Sequence, residues 1–277
     1  MRLLIAVMAC LLLAACAGPA DPPVSAPVSP PSAPVPVSPP APSPSVTPSS
    51  AKLPAGFVDL ADVDDSILAD IRYATPHNFV GRPVTGYLRP RCLLARQAAE
   101  ALHRVQQNAQ ARGYSLKVYD CYRPQQAVDD FVAWSGDADQ RMKGEFYPRE
   151  DKSALFDDGY IGGPTAHSRG STLDLTLVAT PARTQPPFRA DDPLVSCTAP
   201  AGTRFPDNSI DMGTGFDCFD PLAHTAATGV TAAERANRTL LTGLMSAGGF
   251  TNYPKEWWHY TLDGEPFPDT YYNFPVT

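Results

Sequence analysis

A proline-rich stretch near the N-terminus determines where a folded domain can begin. Residues 17–52 consist almost wholly of Pro, Ala, Ser and Val and contain 13 of the 31 prolines in the chain. A segment without aromatic, leucine or isoleucine side chains cannot bury enough apolar surface to offset the entropy of ordering, and its prolines favour extended polyproline II. We therefore predict a semi-rigid tether over residues 16–52, rising roughly 3.1 Å per residue, and one folded domain over residues 53–277.

The residues before this tether resemble the export signal of a bacterial lipoprotein. Residues 1–15 hold one basic residue, Arg2, and an apolar run that is too short for a permanent membrane span. The run ends at "LAAC", which is similar to a lipobox, so Cys16 is the predicted lipidation site after cleavage of the signal. An ordinary signal peptide beside a chance cysteine is the alternative.

The predicted location follows from this anchor. With Ala17 after the cysteine, the pattern resembles an outer-membrane sorting signal. We expect a protein that is lipid-anchored in the cell envelope, on the periplasmic face of the outer membrane if the cell is Gram-negative, and that contacts the membrane through its lipid alone.

The net charge of the predicted mature protein argues against nucleic acid as a partner. Removal of Arg2 with the signal leaves 21 basic residues against 29 acidic residues, a net charge of −8, and no basic cluster stands out. Nucleic acid is therefore not an expected partner.

Four cysteines remain in the predicted domain, and an exported compartment permits disulfides. Their spacing matches no zinc-finger pattern, and four cysteines allow three connectivities. Closeness in sequence favours Cys92–Cys121 and Cys197–Cys218.

Hydrophobic periodicity predicts the main elements of the domain. "PRCLLARQAAEALHRVQQNAQARG" has apolar residues at three- and four-residue steps from Leu93 to Val105, which indicates a long helix with Gly113 at its C-cap. "YSLKVYD" and "STLDLTLV" read as strands, and Pro124 starts a second helix. Thr231 and Glu234 form a capping box for a last helix.

Two further stretches complete the expected fold. Residues 179–209 contain many prolines and no period, which indicates an insertion pinned by a disulfide, and "EWWHYTL" reads as the last strand. The alternation of helices and strands predicts an α+β single domain, with helices packed on a small antiparallel or mixed sheet.

Four residues from two separate motifs could together form a metallopeptidase site. A zinc peptidase needs a few nitrogen and oxygen ligands, one open coordination position and a carboxylate that acts as base. His167 and Asp174 in "HSRGSTLD" and His259 in "EWWHY" would be the ligands, with Glu256 as the general base. Either motif alone also fits a structural role, as a loop histidine with a strand-edge acid or as an aromatic core strand.

The second motif sets a geometric requirement. Residues three apart in a regular strand point to opposite faces, so Glu256 and His259 can share one site only through a bulge or turn. We predict such a break near Trp257, with the two tryptophans forming a low-dielectric wall around the site.

Seven blocks of sequence resemble the zinc D-alanyl-D-alanine dipeptidases of the VanX type. They occur in the same order from about residue 57 to the C-terminus, and they read "SILADIRYATPHNFVGRPVTGY", "CLLARQAAEAL", "VYDCYRP", "HSRGSTLDLTL", "DMGTGFDCFD", "EWWHY" and "YYNFPV". The signal, the tether and the insertion fall outside the resemblance.

This resemblance implies roles for individual residues. His167, Asp174 and His259 match the family's Zn²⁺ ligands and Glu256 its catalytic base. Arg123 matches an arginine that stabilises the oxyanion, and Asp217 matches the acid that binds the substrate's free ammonium group. Thr165 stands where the family often has serine, which makes it a candidate substrate contact, and Cys218 departs from the usual residue beside Asp217.

The expected function is zinc-dependent hydrolysis of D-Ala-D-Ala, or of a similar small D,D-dipeptide, in the cell envelope. One alternative is a D,D-carboxypeptidase or endopeptidase that acts on peptidoglycan stem peptides with the same zinc fold. The other is a non-catalytic lipoprotein that binds cell-wall peptides or zinc. His77, His103 and His224 are expected to be solvated or structural.

Overall fold

Residues 52–277 are described by the computed structural model of the protein. The predicted signal peptide, the lipidation site Cys16 and the tether up to residue 51 lie outside the described residues. Among the described residues, no helix combines the length and the apolar character needed to cross a membrane.

Five strands form the central sheet. Across the sheet they are β2 (Leu68–Ala69), β4 (Tyr114–Asp120), β5 (Thr172–Ala179), β7 (His259–Leu262) and β6 (Phe250–Asn252). Strands β2 and β4 run parallel, whereas all other neighbours are antiparallel. Two further strands, β1 (Phe57–Asp59) and β3 (Leu93–Ala95), make a small antiparallel sheet. The predicted α+β class is confirmed, and the sheet is mixed.

The described residues form four α-helices: α1 Arg96–Gln110, α2 Gln125–Ser135, α3 Lys143–Phe146 and α4 Ala232–Ala247. The apolar face of α1, with Ala98, Leu102 and Val105 fully buried, packs on β4 and on α4. The capping box predicted for α4 is present, since Thr231 Oγ1 accepts from the N–H of Glu234 and the carboxylate of Glu234 accepts from the N–H of Thr231.

The predicted first helix was wrong at its N-terminal end, because it included Leu93 and Leu94, whereas α1 begins at Arg96. Leu93 and Leu94 lie in β3, where they pair with β1, and the N–H of Tyr122 donates to the carbonyl of Leu93. These long-range backbone bonds outweigh the local helical period. The helix also ends earlier than predicted, at Gln110, and Gly113 occupies the left-handed turn before β4 with φ of 80°.

Both predicted disulfides are present. Cys92–Cys121 joins the segment before β3 to the end of β4, and Cys197–Cys218 joins the predicted insertion to the loop before α4. Between β5 and α4 the described chain forms no strand and only one short 3₁₀ turn, at Pro221–Ala223, as the lack of period indicated.

Candidate active site

Two adjacent strands and one tight turn bring the predicted metal ligands together. Asp174 in β5 lies directly opposite His259, the first residue of β7, so their side chains stand on the same face of the sheet. His167 belongs to the 3₁₀ turn Ala166–Arg169 that leads into β5. Thr165 caps this turn, because its hydroxyl accepts from the N–H of His167.

The three ligand atoms form a nearly equilateral triangle. His167 Nε2 lies 3.3 Å from His259 Nδ1, and Asp174 Oδ1 lies 3.4 Å and 3.2 Å from these two nitrogens. Ligands in a tetrahedron with bonds of about 2.0–2.1 Å stand about 3.3–3.4 Å apart. Within residues 52–277, Asp174 Oδ1 is also one of the few buried side-chain atoms that make no hydrogen bond. The triangle therefore fits a small divalent cation.

A backbone hydrogen bond fixes which nitrogen of His167 faces this point. Its Nδ1 lies 2.8 Å from the carbonyl oxygen of Cys121, which can only accept, so Nδ1 carries the proton. The Nε2 lone pair is left for a metal, and the carbonyl supplies the outer hydrogen bond that usually orients a histidine ligand. The Cys92–Cys121 disulfide anchors the residue that provides the carbonyl.

The predicted break in the last strand is present. The chain turns at Trp257 and Trp258 before β7 begins, and the N–H of His259 lies 3.4 Å from the carbonyl of Glu256. Asn252 Nδ2 donates to the carbonyls of both Glu256 and His259, which holds the turn closed. As a result Glu256 Oε2 lies 3.3 Å from His259 Nδ1, on the side of the metal ligands.

The tryptophans have a different role from the predicted one. Neither lines the cavity at the site, so the prediction that they form its wall was wrong. Trp257 Nε1 donates to Thr214 Oγ1 at 2.8 Å, and Trp258 packs edge-on against Phe216 with ring centroids 5.5 Å apart. Both side chains are buried behind the turn, where they fix the backbone that presents Glu256 and His259.

Arg123 is held rigidly beside the ligands. Its Nε donates to Asp120 at 2.9 Å, and Asp120 also accepts from the Tyr87 hydroxyl at 2.5 Å. The guanidinium lies over the ring of Tyr73, 5.0 Å from its centroid. Nη2 approaches Asp174 Oδ2 at 3.5 Å, so one edge of the guanidinium faces the site.

Asp217 adopts an unusual backbone conformation at the edge of the same site. Its φ is 55°, the left-handed region that aspartate tolerates better than most residues. The carboxylate is buried and accepts a hydrogen bond of 2.9 Å from the Tyr73 hydroxyl. Burial, and then the negative charges of Asp174 and Glu256, raise its pKa well above the ordinary carboxyl value. A cation placed beside Asp217 would restore the ionised form.

Negative charge dominates the electrostatics around the ligands. Burial raises the pKa of Glu256, although the neighbouring His259 acts in the opposite direction. Burial lowers the pKa of His259, but the adjacent carboxylates of Asp174 and Glu256 outweigh this effect and raise the pKa to about 9. The acids therefore favour positive charge at the centre of the triangle, as a metal site requires.

One cavity of about 230 Å³ is lined by Arg123, Asp174, Asp217, Glu256 and His259 together. Its polar lining consists of Tyr73, Arg123, Tyr160, Thr165, Asp174, Asp217, Tyr253, Glu256 and His259, and its apolar lining includes Phe79, Phe131, Ile161 and Phe219. Of the predicted residues, Thr165 is in the wall, whereas His167 is buried behind it. Tyr87 and Tyr122 lie outside its lining: Tyr87 donates to Asp120, and Tyr122 donates to the carbonyl of Phe274.

Comparison with known proteins places the chain in a family. A family model described as peptidase M15, D-Ala-D-Ala dipeptidase, matches residues 54–182 and 206–277. The chain belongs to this family. It is therefore a peptidase, of a family that depends on metal, and the His167, Asp174 and His259 triangle is the candidate centre among the described residues.

Curated relatives of this M15 domain carry the name D-alanyl-D-alanine dipeptidase. One from Streptomyces coelicolor is 40% identical over 222 residues, which cover 79% of this chain and 98% of the relative. One from Enterococcus faecalis is 37% identical over 223 residues, covering 80% and 98%. One from Escherichia coli is 32% identical over 208 residues, covering 74% and 83%.

The family match is interrupted at residues 183–205, within the insertion predicted at 179–209. Residues 183–205 therefore lie outside the part of the chain that the family model matches. They contain Cys197 and contribute Arg183, Thr184 and Arg204 to a second cavity of about 290 Å³.

The remaining histidines have structural surroundings, as predicted. His77 is buried between Arg72 and Glu145, with 2.8 Å to each, and His103 contacts Asp64 at 2.7 Å. His224 lies 3.5 Å from the Tyr160 hydroxyl. Sequence reasoning missed Tyr73 and Asp120, although both lie inside the quoted blocks, because their contacts with Asp217 and Arg123 depend on tertiary structure.

Proposed function

We propose that the domain hydrolyses D-Ala-D-Ala, or a similar small D,D-dipeptide, with Zn²⁺ as its metal. The observation that carries the proposal is that one small cavity is lined by Asp174 and His259 of the metal-ligand triangle, by Glu256 and by the buried acid Asp217, with His167 directly behind its wall. Its volume of about 230 Å³ is below the roughly 300–1,000 Å³ of pockets for drug-sized ligands. This size favours a dipeptide over a longer peptide.

His167, Asp174 and His259 would hold the zinc. Two imidazoles and one carboxylate leave a fourth tetrahedral position open, as in catalytic zinc sites. When bound, the ion supplies Lewis-acid polarisation of the scissile carbonyl and lowers the pKa of the attacking water.

Glu256 is the proposed general base. Its carboxylate lies beside the triangle, and the pKa that burial raises makes it a better proton acceptor than an exposed glutamate. It would take one proton from the attacking water and deliver it to the nitrogen of the leaving amine, so that two molecules of amino acid form from one dipeptide and one water.

Arg123 would stabilise the oxyanion that develops on the scissile carbonyl. Asp120 and the ring of Tyr73 fix its guanidinium before substrate arrives, so no reorganisation is needed during the reaction. A fixed positive charge stabilises the negative oxygen more than it stabilises the neutral carbonyl, which lowers the barrier.

Asp217 would bind the free ammonium group of the substrate. A buried acid with a raised pKa gains a cation partner on binding, and the distance from Asp217 to the ligands would set the length of substrate that reaches the metal. The Thr165 hydroxyl, in the wall beside His167, is a candidate contact for the rest of the dipeptide.

We infer that this chemistry takes place in the cell envelope. The lipobox-like sequence at Cys16 and the tether that follows support a lipid anchor. Two disulfides in the folded domain agree with an oxidising, exported compartment.

Hydrolysis assays on the purified protein test the proposal. Free D-Ala-D-Ala, N-acetyl-D-Ala-D-Ala and a muropeptide pentapeptide are compared with zinc and with a chelator, and Glu256→Ala is the inactive control. Chelator-sensitive cleavage of the free dipeptide alone is the expected result. Cleavage of the blocked or longer substrates would instead indicate a stem-peptide carboxypeptidase or endopeptidase, and no Glu256-dependent cleavage would indicate a binding protein.

A further inference from the structure

The Cys197–Cys218 disulfide connects the insertion directly to the proposed ammonium site. Cys197 lies within residues 183–205, the part of the chain that the family model does not match. Cys218 follows Asp217 in sequence, and both cysteines are buried. A cysteine outside the family match is thus bonded covalently to the neighbour of a proposed substrate-binding residue.

Backbone hydrogen bonds reinforce this connection. The N–H of Gly215 donates to the carbonyl of Cys197 at 2.9 Å, and the N–H of Cys197 donates to the carbonyl of Glu145 at 2.9 Å. On the other side of Asp217, the N–H of Phe219 donates to the carbonyl of Phe146 at 2.8 Å. Cys197 is therefore fixed between α3 and the loop that carries Asp217.

Asp217 itself depends on such support. It is the one non-glycine residue with a positive φ in residues 52–277, and its carboxylate has a single hydrogen-bond donor among them, the Tyr73 hydroxyl. A left-handed conformation at a non-glycine residue persists when the surrounding structure determines it. The covalent bond at the next residue is the closest such constraint.

The insertion is a firm support because it is anchored to the core elsewhere. The Phe188 ring stacks on His77, with centroids 4.1 Å apart. Near the end of the insertion, just after the unmatched residues 183–205, Asp207 accepts from Lys117 at 2.5 Å and from Arg72 and Tyr119 at 2.8 Å each. These contacts fasten both halves of the insertion to the domain, so movement of Cys197 is restricted.

We infer that the insertion acts as a positioning element for Asp217 through Cys197 and Cys218, and thereby sets the affinity for the substrate's ammonium group. This inference rests on the proposed dipeptidase function. It assigns to residues 183–205 a part in substrate selection, while the metal ligands, Glu256 and Arg123 are held by other elements.

The inference predicts a specific kinetic change. The pairing of Asp217 with the ammonium group is made equally in the ground state and in the transition state, so its loss raises KM and leaves kcat unchanged. In the double variant Cys197→Ala/Cys218→Ala, KM for D-Ala-D-Ala should rise by about tenfold, the effect of a weakened charge-assisted contact. Zinc content and kcat should stay near their wild-type values.

A double-mutant cycle separates positioning from general loosening of the fold. Asp217→Asn removes the charge and tolerates the same backbone conformation. When the cysteine pair is replaced in the Asp217→Asn protein, KM should change by less than about twofold, because coupled sites are not additive. Ser196→Ala is the matched control, since it alters the neighbour of Cys197, removes its contact with Thr198 and leaves the disulfide in place.

Calorimetric titration of D-Ala-D-Ala into the zinc-loaded Glu256→Gln protein measures the dissociation constant of the substrate without turnover. The titration compares Glu256→Gln protein that keeps both cysteines with Glu256→Gln protein in which both are replaced by alanine. If the double variant does not fold by circular dichroism, Cys197→Ser alone breaks the bond and keeps Cys218 in its buried position.

Additive effects, or an unchanged KM and dissociation constant, would overturn the positioning role while the dipeptidase function stands. Absence of both hydrolysis and binding in the wild-type protein would overturn the proposed function and this inference with it.

Discussion

At the scale of single residues, Glu256 lies close to the metal ligands without being one of them. Its Oε2 is 3.3 Å from His259 Nδ1, whereas the converging ligand atoms come from His167, Asp174 and His259. Glu256→Gln keeps the shape of the side chain and removes the base, so kcat should fall by about 10²–10⁴-fold. Zinc content, measured by atomic absorption, should remain one ion per chain. Loss of zinc together with activity would make Glu256 a ligand.

Asp174 provides the converse test at the same scale. Asp174→Asn removes a buried negative charge that the two imidazoles surround, so zinc affinity should fall sharply. At zinc concentrations of 100 times Kd, binding to the folded wild-type protein should add about 2.7 kcal/mol to its free energy of unfolding. Asp174→Asn should lose this increment in chemical denaturation, and the exposed surface variant Asp129→Asn should keep it. An unchanged increment in Asp174→Asn would place the metal elsewhere.

The residues that could be predicted from sequence are those whose chemistry shows in a short motif. His167, Asp174, Glu256 and His259 each stand in a motif whose residue types suit a zinc peptidase, and the structure brings all four to one place. The support of Asp217 could not be predicted, because the hydrogen bond that Tyr73 donates to it joins residues 144 positions apart. The roles of all these residues in catalysis stay predictions that the variants above test.

At the scale of elements, local patterns predicted type well and boundaries less well. The capping box of α4 and the break before β7 follow from neighbouring side chains, so sequence contains them. The start of α1 depends on pairing between β3 and β1, which are separated by the long loop after β2, and no local period encodes that pairing. The size of the two tryptophans predicts that they are buried, but it does not predict which side of the sheet they face.

The anchor of the insertion has a measurable pH dependence. Burial opposes ionisation of Asp207, but Lys117 and Arg72 outweigh it and lower its pKa from 3.8 to about 2. A depressed carboxyl pKa stabilises the fold above pH 3.8, and this contribution is lost as pH falls toward 2. The pKa difference corresponds to about 2 kcal/mol.

Asp207→Asn should therefore destabilise the domain at neutral pH by about 3–5 kcal/mol, because it leaves Lys117 and Arg72 with one partner fewer in a buried place. Urea unfolding measures the free energy of unfolding of the variant and of the wild type. The difference between these two free energies should shrink by about 2 kcal/mol as the pH falls from about 5 to 2. The exposed variant Asp62→Asn serves as the control and should show no such convergence. A pH-independent gap would mean that Asp207 is not the group that titrates.

At the scale of the whole molecule, the residues predicted to anchor the protein are separate in sequence from the residues proposed to react. All proposed site residues lie between residues 123 and 259, whereas the lipobox-like cysteine and the tether precede residue 53. Cys16→Ser should therefore move the protein from the membrane fraction to the soluble envelope fraction and abolish its labelling by radioactive palmitate. Its kcat/KM for D-Ala-D-Ala should equal that of the wild type, because the tether has no aromatic or large aliphatic residues with which to pack on the domain. A soluble, unlabelled wild-type protein would indicate an ordinary cleaved signal peptide, and a change in kcat/KM would indicate that the segment before residue 53 takes part in the reaction.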